Sequence, residues 1–362
     1  MIKMKRVTVK IGTRVLSGAD NKLDKKVIKH IADQVAELMA RDIQVVIVTS
    51  GAIGAGLGIL EEDKKNKSLA QLQAIASLGQ NYLMDIYNHY FIKKDLYAGQ
   101  ILLTQDDFND RKRYLNIKYT LEALFERGAV PIINENDSVS TEEIKCGDND
   151  RLSFLVSDLI GSDVLIILTD VDGLFDDKGH LVRAVENIDD EILSYCKKKE
   201  CDVSTGGMIA KLGAVKDAVT SGIRCYIAAG KKRNVITHIM NGKKTGTEFM
   251  PLANSVNARK RWIGYTKKSS GAIIVDDGAS YALIENKKSL LPSGIVDVKG
   301  KFSQGDVVSI ENQGSKVIAK GISNYSSDEA VKIKGQKSSK IESILGYKDY
   351  DEFIHRDNLV IV

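Results

Sequence analysis

The chain has 362 residues, 43% of them hydrophobic and 28% charged, enough for a substantial core in two domains or one large one. A formal net charge of +4 at pH 7 is small for this length and gives little support for a polyanionic partner. The uncharged run that contains Val45 to Leu60 is too short and too rich in Gly, Thr and Ser to span a bilayer, and charges up to Lys10 leave no secretory h-region, so a cytoplasmic protein is expected.

In chain order, Arg6 to Ile11 reads as a strand ending in Gly12-Thr13. Lys25 to Ala40 reads as an amphipathic helix with Val27, Ile31, Val35 and Leu38 on one face. Gln44 to Val48 is a continuous apolar run, the pattern of a strand buried on both faces, and it leads into Thr49-Ser50-Gly51-Ala52. Helices are expected over 68–90 and 111–127, with an extended segment from Tyr97 to Leu103 between them. Val130 to Ile133, Val164 to Leu168 and Cys225 to Ala229 read as further strands, and Gly207 to Ser221 as a helix. Repeated strand-then-helix order predicts an α/β fold, a three-layer sandwich with a mainly parallel sheet. After about residue 250 the pattern changes. Ile273 to Val275, Ile295 to Lys299, Asp306 to Ile310 and Lys316 to Ile322 are short β-type segments between Gly-bearing turns. They predict a small, mostly β, barrel-like domain. The expected division is 1–255, a connection over 256–271, and 272–362.

Several chemistries are absent from the pattern. Cys146, Cys196, Cys201 and Cys225 show no CxxC spacing and read as reduced thiols. The histidines are far apart in sequence and show no metal-site spacing. There is no G-x-x-x-x-G-K-[ST] phosphate loop, and Gly51 to Gly56 has the wrong glycine order for a dinucleotide fingerprint. His355-Arg356-Asp357 spells a protein-kinase triplet without its required context.

What remains is polar and sits at strand ends, the edge where parallel sheets bind ligands. Asn134-Glu135-Asn136-Asp137-Ser138 leaves one strand, and Gly147-Asp148-Asn149-Asp150 stands at an expected helix start. Side-chain amides both donate and accept, and a carboxylate only accepts. That set suits a small ligand with an ammonium and a carboxylate, although a solvent-facing turn has the same composition. Lys10 ends the first strand, and Thr205-Gly206-Gly207-Met208-Ile209-Ala210-Lys211 offers a glycine turn with a second lysine. Backbone N–H groups and compact ammonium charges of this kind suit phosphoryl transfer. Either lysine taken singly also fits a solvated side chain.

With these segments in view, the chain resembles the glutamate 5-kinase branch of the amino acid kinase family, with a C-terminal PUA domain. The carrying segments are VKIGT (9–13), VIVTSGAI (46–53), NENDSVSTEEIKCGDND (134–150), LTDVDGLF (168–175), STGGMIAK (204–211) and NARKRWI (257–263), then LLPSGI (290–295), G-x-F-x-x-G-D (300–306) and AKGISNYSSDE (319–329). The resemblance implies ATP-dependent phosphorylation of the L-glutamate side-chain carboxylate to L-glutamyl 5-phosphate, the first step of proline biosynthesis. Lys10 and Lys211 would stabilise the transferring group, with Asp150 holding them in place. Ser50, Gly51, Asn134, Asp137 and Asn149 would bind glutamate, Asp137 through its ammonium. Lys10, Gly12, Thr169, Asp170, Thr205, Gly206, Gly207, Met208 and Lys211 would bind ATP. Mg²⁺ would ride on the ATP phosphates, and no protein ligand for it is named. Asp150 could equally be a helix N-cap.

The same resemblance implies proline as feedback inhibitor, glutamyl phosphate reductase as a partner, and homodimers or homotetramers. Two positions depart from the pattern. Arg14 stands where a small residue is usual, facing phosphate or turned outward, and the segment 176–180 is short. PUA domains in other settings bind RNA. Residues 270–362 carry 12 Lys plus Arg against 13 Asp plus Glu, a balance of 12 − 13 = −1. Such a balance argues against RNA binding, which usually needs a basic stripe. The remaining alternative is another small-molecule kinase of the same family.

Overall fold

A computed structural model describes residues 5–18, 22–63, 65–139, 148–197, 205–251 and 269–361. The chain folds as two compact units, Met1–Ser255 and Val256–Val362. The expected connection and Cys146 fall largely or wholly outside the described residues, as does Cys201.

The first unit runs β1 (Arg6–Ile11), α1 (Thr13–Leu16), α2 (Lys25–Met39), β2 (Gln44–Val48), α3 (Ala52–Leu60), α4 (Leu69–Ile92), β3 (Ala98–Leu103), α5 (Asp106–Asn109), α6 (Arg111–Glu126) and β4 (Val130–Glu135). It continues through α7 (Asp148–Ile160), β5 (Val164–Thr169), β6 (Ala184–Val185), α8 (Asp190–Lys197), α9 (Thr205–Thr220), β7 (Arg224–Ala229), α10 (Val235–Met240) and β8 (Thr247–Phe249). Eight strands form one sheet in the order β3-β4-β2-β1-β5-β7-β8-β6. All neighbours are parallel except β7 and β8.

The apolar strand runs separate by parity, because successive side chains point to opposite faces. Val45 and Ile47, Ile166 and Leu168, and Tyr226 and Ala228 join one core with α2, α4 and α10. Their neighbours Val46 and Val48 pack on α6 and α7, and Leu165, Ile167, Cys225 and Ile227 pack on α9 and Phe154. The result is helix, sheet, helix, as the sequence pattern predicts. β1 differs. Val7, Val9 and Ile11 face the first core, so Thr8 and Lys10 must face the α7 side. There Thr8 Oγ1 lies 2.7 Å from Ser162 Oγ.

Local caps start the helices where the sequence changes character. Asp24 accepts from the amides of Lys26 and Val27, Ser68 and Gln71 form a reciprocal capping box, and Asp110 accepts from Arg113 N. Helix α3 escapes sequence reading because Gly54, Gly56 and Gly58 lower its propensity. Packing explains it. A Cβ on Gly79 of α4 would lie 1.9 Å from Ala52 O and 2.3 Å from Gly56 N, and one on Gly56 would lie 2.1 Å from Ile75 O. The two helices therefore touch backbone to backbone.

The second unit carries β9 (Gly271–Val275), β10 (Ile295–Gly300), β11 (Val307–Asn312), β12 (Val317–Ile322) and β13 (Leu359–Ile361). They form a five-stranded sheet in the order β10-β9-β11-β12-β13, with β9 and β11 parallel and the other pairs antiparallel. Helices Asp277–Ile284, Ser327–Ile333 and Ile341–Leu345, which the β-type reading does not anticipate, belong to this unit. Ser326 and Glu329 cap the second of them reciprocally. No described helix of the chain is long and apolar enough to cross a membrane.

The close approach of the two glycines gives a paired expectation. Gly79→Ala should cost about 2–4 kcal/mol, because main chain must move. Gly54→Ala, which meets nothing within 4 Å, should be neutral or stabilising by up to about 1 kcal/mol. Urea unfolding of both variants reads the difference.

Candidate active site

Parallel pairing brings the carboxyl ends of β1, β2, β4, β5 and β7 to one edge. The ladder hydrogen bonds continue past the strands: Gly12 N donates to Leu168 O at 3.1 Å, Thr49 N to Ile133 O at 2.8 Å and Gly230 N to Thr169 O at 2.8 Å. Lys10, Ser50, Asn134 and Thr169 are thus delivered to neighbouring positions by rigid elements.

At the centre, Lys10 Nζ lies 2.7 Å from Asp150 Oδ1 and Lys211 Nζ lies 3.0 Å from Asp150 Oδ2. Lys10 and Asp150 are both buried, and the Lys211 side chain is 13% exposed. Lys211 comes from α9, where its ammonium also donates to Gly207 O at 3.1 Å. Helix α7 begins at Asp148, so Asp150 lies within its first turn rather than at the cap, and its side chain reaches across to the two lysines. Two ammonium groups against one carboxylate leave an excess of positive charge in a largely buried place. Such an excess favours an anion as ligand.

Beside this triad runs a chain of amides. Asn134 Oδ1 accepts from its neighbour Glu135 N at 3.0 Å and from Asn149 Nδ2 at 3.1 Å. Asn149 Nδ2 also donates to Ser50 Oγ at 3.2 Å, and Asn134 Nδ2 donates to Gln80 Oε1 at 2.8 Å. All four side chains are buried. Gly51 caps α3 with φ +100°, a left-handed conformation that glycine adopts without the Cβ penalty. Gln80 is not among the residues that sequence reading singles out. Its signal is a lone amide on the apolar stripe of α4 formed by Ala76, Leu83 and Tyr87, all buried. Tyr87 itself lies 3.0 Å from Thr49 Oγ1, and burial pushes its phenol pKa up.

At the far side, Thr169 Oγ1 donates to Asp170 Oδ1 at 3.0 Å, and Arg14 Nη1 lies 3.1 Å from Asp170 Oδ2. The departure at Arg14 therefore ties α1 to the end of β5. Burial raises the Asp170 pKa, but hydrogen bonds from Arg14 and Thr169 outweigh it and hold the carboxyl below its ordinary value. Asp137 lies half-buried in the turn after β4, where Asn136 N donates to Leu103 O at 2.8 Å and Ser138 Oγ meets Ser77 Oγ of α4 at 3.0 Å. Thr205, Gly206, Gly207 and Met208 form the first turn of α9, two residues earlier than the apolar pattern suggests. Residues 140–147 lie outside the described residues.

The model of the amino acid kinase family matches residues 5–229, and the PUA domain model matches 271–345. The chain belongs to the amino acid kinase family. It is 46% identical to the glutamate 5-kinase of Thermoanaerobacter sp. (strain X514), over 99% of this chain and 98% of the relative. A glutamate 5-kinase of Caldanaerobacter subterraneus subsp. tengcongensis is also 46% identical over the same shares. That of Citrifermentans bemidjiense is 43% identical, again over 99% and 98%. Within this kinase fold, Lys10 and Lys211 converge on Asp150 although 201 positions separate the lysines in the sequence. Cys196 and Cys225 are free and buried, and burial raises both thiol pKa values.

Asp150→Asn removes the carboxylate that both ammonium groups share. Breaking one side of a buried ion pair should lower stability by about 3 kcal/mol. A urea unfolding midpoint equal to that of the unaltered protein would contradict this.

Proposed function

We propose that this chain transfers the γ-phosphoryl group of ATP to the side-chain carboxylate of L-glutamate, giving L-glutamyl 5-phosphate and ADP. The observation that carries the reading is the meeting of Lys10 and Lys211 on Asp150, next to the buried side-chain hydrogen bonds of Asn134, Asn149 and Ser50. The names of the relatives support it.

In the reaction, a carboxylate oxygen forms a bond to the γ-phosphorus as the bond from that phosphorus to the β,γ-bridging oxygen breaks. The electron pair leaves on ADP. The glutamate side chain, with a reference pKa of about 4.3, is already an anion at neutral pH, so no general base is required. The barrier is positioning and repulsion between two anions. Lys10 and Lys211 offset that repulsion as charge spreads over the transferring oxygens, and Asp150 keeps both ammonium groups aimed at one point. Gly12 and Gly51 allow close backbone approach. Ser50, Asn134 and Asn149 bind glutamate together with Asp137, which takes the ammonium. Gly12, Thr169, Asp170 and the turn Thr205 to Met208 receive ATP with the two lysines.

Mg²⁺ would enter with the nucleotide substrate and would supply positive charge to its phosphates. Among the described residues no group of three or more His, Cys, Asp or Glu is placed to hold a metal, and Asp150 is already engaged with two ammonium groups. The unit 1–255 carries this catalysis in our reading, with 256–271 as connection and 272–362 as the PUA domain. The protein would act in the cytoplasm at the first step of proline biosynthesis, as a homo-oligomer inhibited by proline. It would pass its product to glutamyl phosphate reductase without binding RNA.

Hydroxylamine traps an acyl phosphate as a hydroxamate. Hydroxamate should form with ATP and L-glutamate and not with aspartate or N-acetylglutamate; formation with all three would defeat the reading. Lys211→Ala should lower kcat by about 100-fold or more while the glutamate KM stays within about 3-fold, because its charge acts mainly in the transition state. Asp137→Asn should raise the glutamate KM by about 10-fold, as expected for loss of a charged hydrogen bond. An unchanged constant would remove its ammonium role.

A further inference from the structure

The direction of hydrogen-bond donation along the amide chain is fixed by one group that cannot be reversed. Side-chain amides can be turned over, so their orientation has to be read from an unambiguous partner. That partner is the Glu135 backbone N–H, a donor only, 3.0 Å from Asn134 Oδ1. With its oxygen committed there, Asn134 must present Nδ2 to Gln80, and Gln80 must answer with Oε1, 2.8 Å away. Asn149 must in turn present Nδ2 to the same Asn134 oxygen, at 3.1 Å. The same nitrogen reaches Ser50 Oγ at 3.2 Å, so Ser50 accepts. A hydroxyl that accepts from one side has its single proton left to give. Among the described residues no hydrogen bond uses Ser50 Oγ as donor.

We propose that Gln80 is a positioning residue of the glutamate site: by accepting from Asn134 Nδ2 it holds the Asn134 amide in the orientation that the Glu135 N–H sets, so that the Asn134–Asn149–Ser50 chain stays in place and the Ser50 hydroxyl donates to a carboxylate oxygen of the bound amino acid. The inference rests on the proposed glutamate-binding role of Ser50, and it adds a residue and a direction to it.

Two further features of Gln80 fit. It is only 7% exposed, and its Nε2 finds no hydrogen-bond partner among the described residues. A buried donor left unanswered is costly. An apolar side chain of similar shape would avoid that cost but would leave Asn134 Nδ2 without its acceptor. The amide thus contributes through its oxygen. Its place is also set by a close main-chain contact. Gly79, the preceding residue, is the point where α4 rests on Ala52 O and Gly56 N of α3, and α3 itself starts immediately after Ser50-Gly51.

The test is steady-state kinetics of the full chain with glutamate and ATP. Gln80→Met, close in shape and without the acceptor, should raise the glutamate KM about 10-fold, with kcat and the ATP KM within about 3-fold. In a Ser50→Ala background, Gln80→Met should add less than about 2-fold, because the route through Ser50 is already gone. A full 10-fold effect in that background overturns the proposal, as does an unchanged KM for Gln80→Met alone. Should Gln80→Met not fold, Gln80→Leu serves the same comparison. If the unaltered protein phosphorylates glutamate and these variants behave as independent changes, the inference fails and the functional reading stands. If the unaltered protein forms no glutamyl phosphate, both fail.

Discussion

One buried carboxylate holding two ammonium groups organises the catalytic unit. Asp150 is answered by Lys10 from the first strand and by Lys211 from a helix that follows 55 residues after Asp150. Neither lysine could be kept buried without a counter-charge. Asp150 in turn depends on the elements that bring them together. Parity sends Lys10 to the α7 side of β1, and the i to i+4 bond of Lys211 to Gly207 O pins the second ammonium over the first turn of α9. The same three groups that hold the sheet to its covering helices therefore form the cationic centre. Structural and chemical roles coincide in one cluster.

The parallel sheet supplies the rest. Strand ends at one edge carry side chains of different character: ammonium on β1, hydroxyl after β2, amide on β4, hydroxyl and carboxylate at β5. Each strand is buried on both faces by two helix layers, so its end is held without help from the loops beyond. That suits a reaction whose demand is position rather than proton transfer. It also accounts for the lack of any catalytic histidine in the proposed chemistry. The exposed pair Arg14–Asp170 contributes little to stability by comparison, and its effect is to fasten α1 to the end of β5.

Much of this was legible in the residues. Continuous apolar runs such as Val164 to Leu168 can bury both faces only in a parallel sheet between helices, and the structure extends that strand by one residue. Lys10 stood out because a lysine at the end of an apolar run is placed by the strand, whereas Asp150 and Lys211 stood out as an acid-and-amide cluster at an expected helix start and a lysine after a glycine turn, and their joint role came from the family resemblance. Three things were not legible. Helix α3 forms against its own glycine content, through packing on α4 that lies outside any local window. The helices of the second unit, such as Ser327–Ile333, are short enough to hide among β-type segments, although the Ser326 and Glu329 capping pair marks one of them. Gln80 carries no motif at all; only its place on an otherwise apolar helical stripe hints at a partner, and that partner is 54 residues away.

The glycine crossing of α3 and α4 has an evolutionary corollary. Where two helices meet through side chains, a wall can be thickened or thinned a methyl group at a time. Here Gly56 and Gly79 have already reduced that spacing to the width of the main chain itself. Descendants that took up a bulkier or slimmer acceptor would find this helix crossing unable to yield by small steps. Their divergence should instead accumulate at positions such as Gly54, where an added Cβ meets nothing within 4 Å.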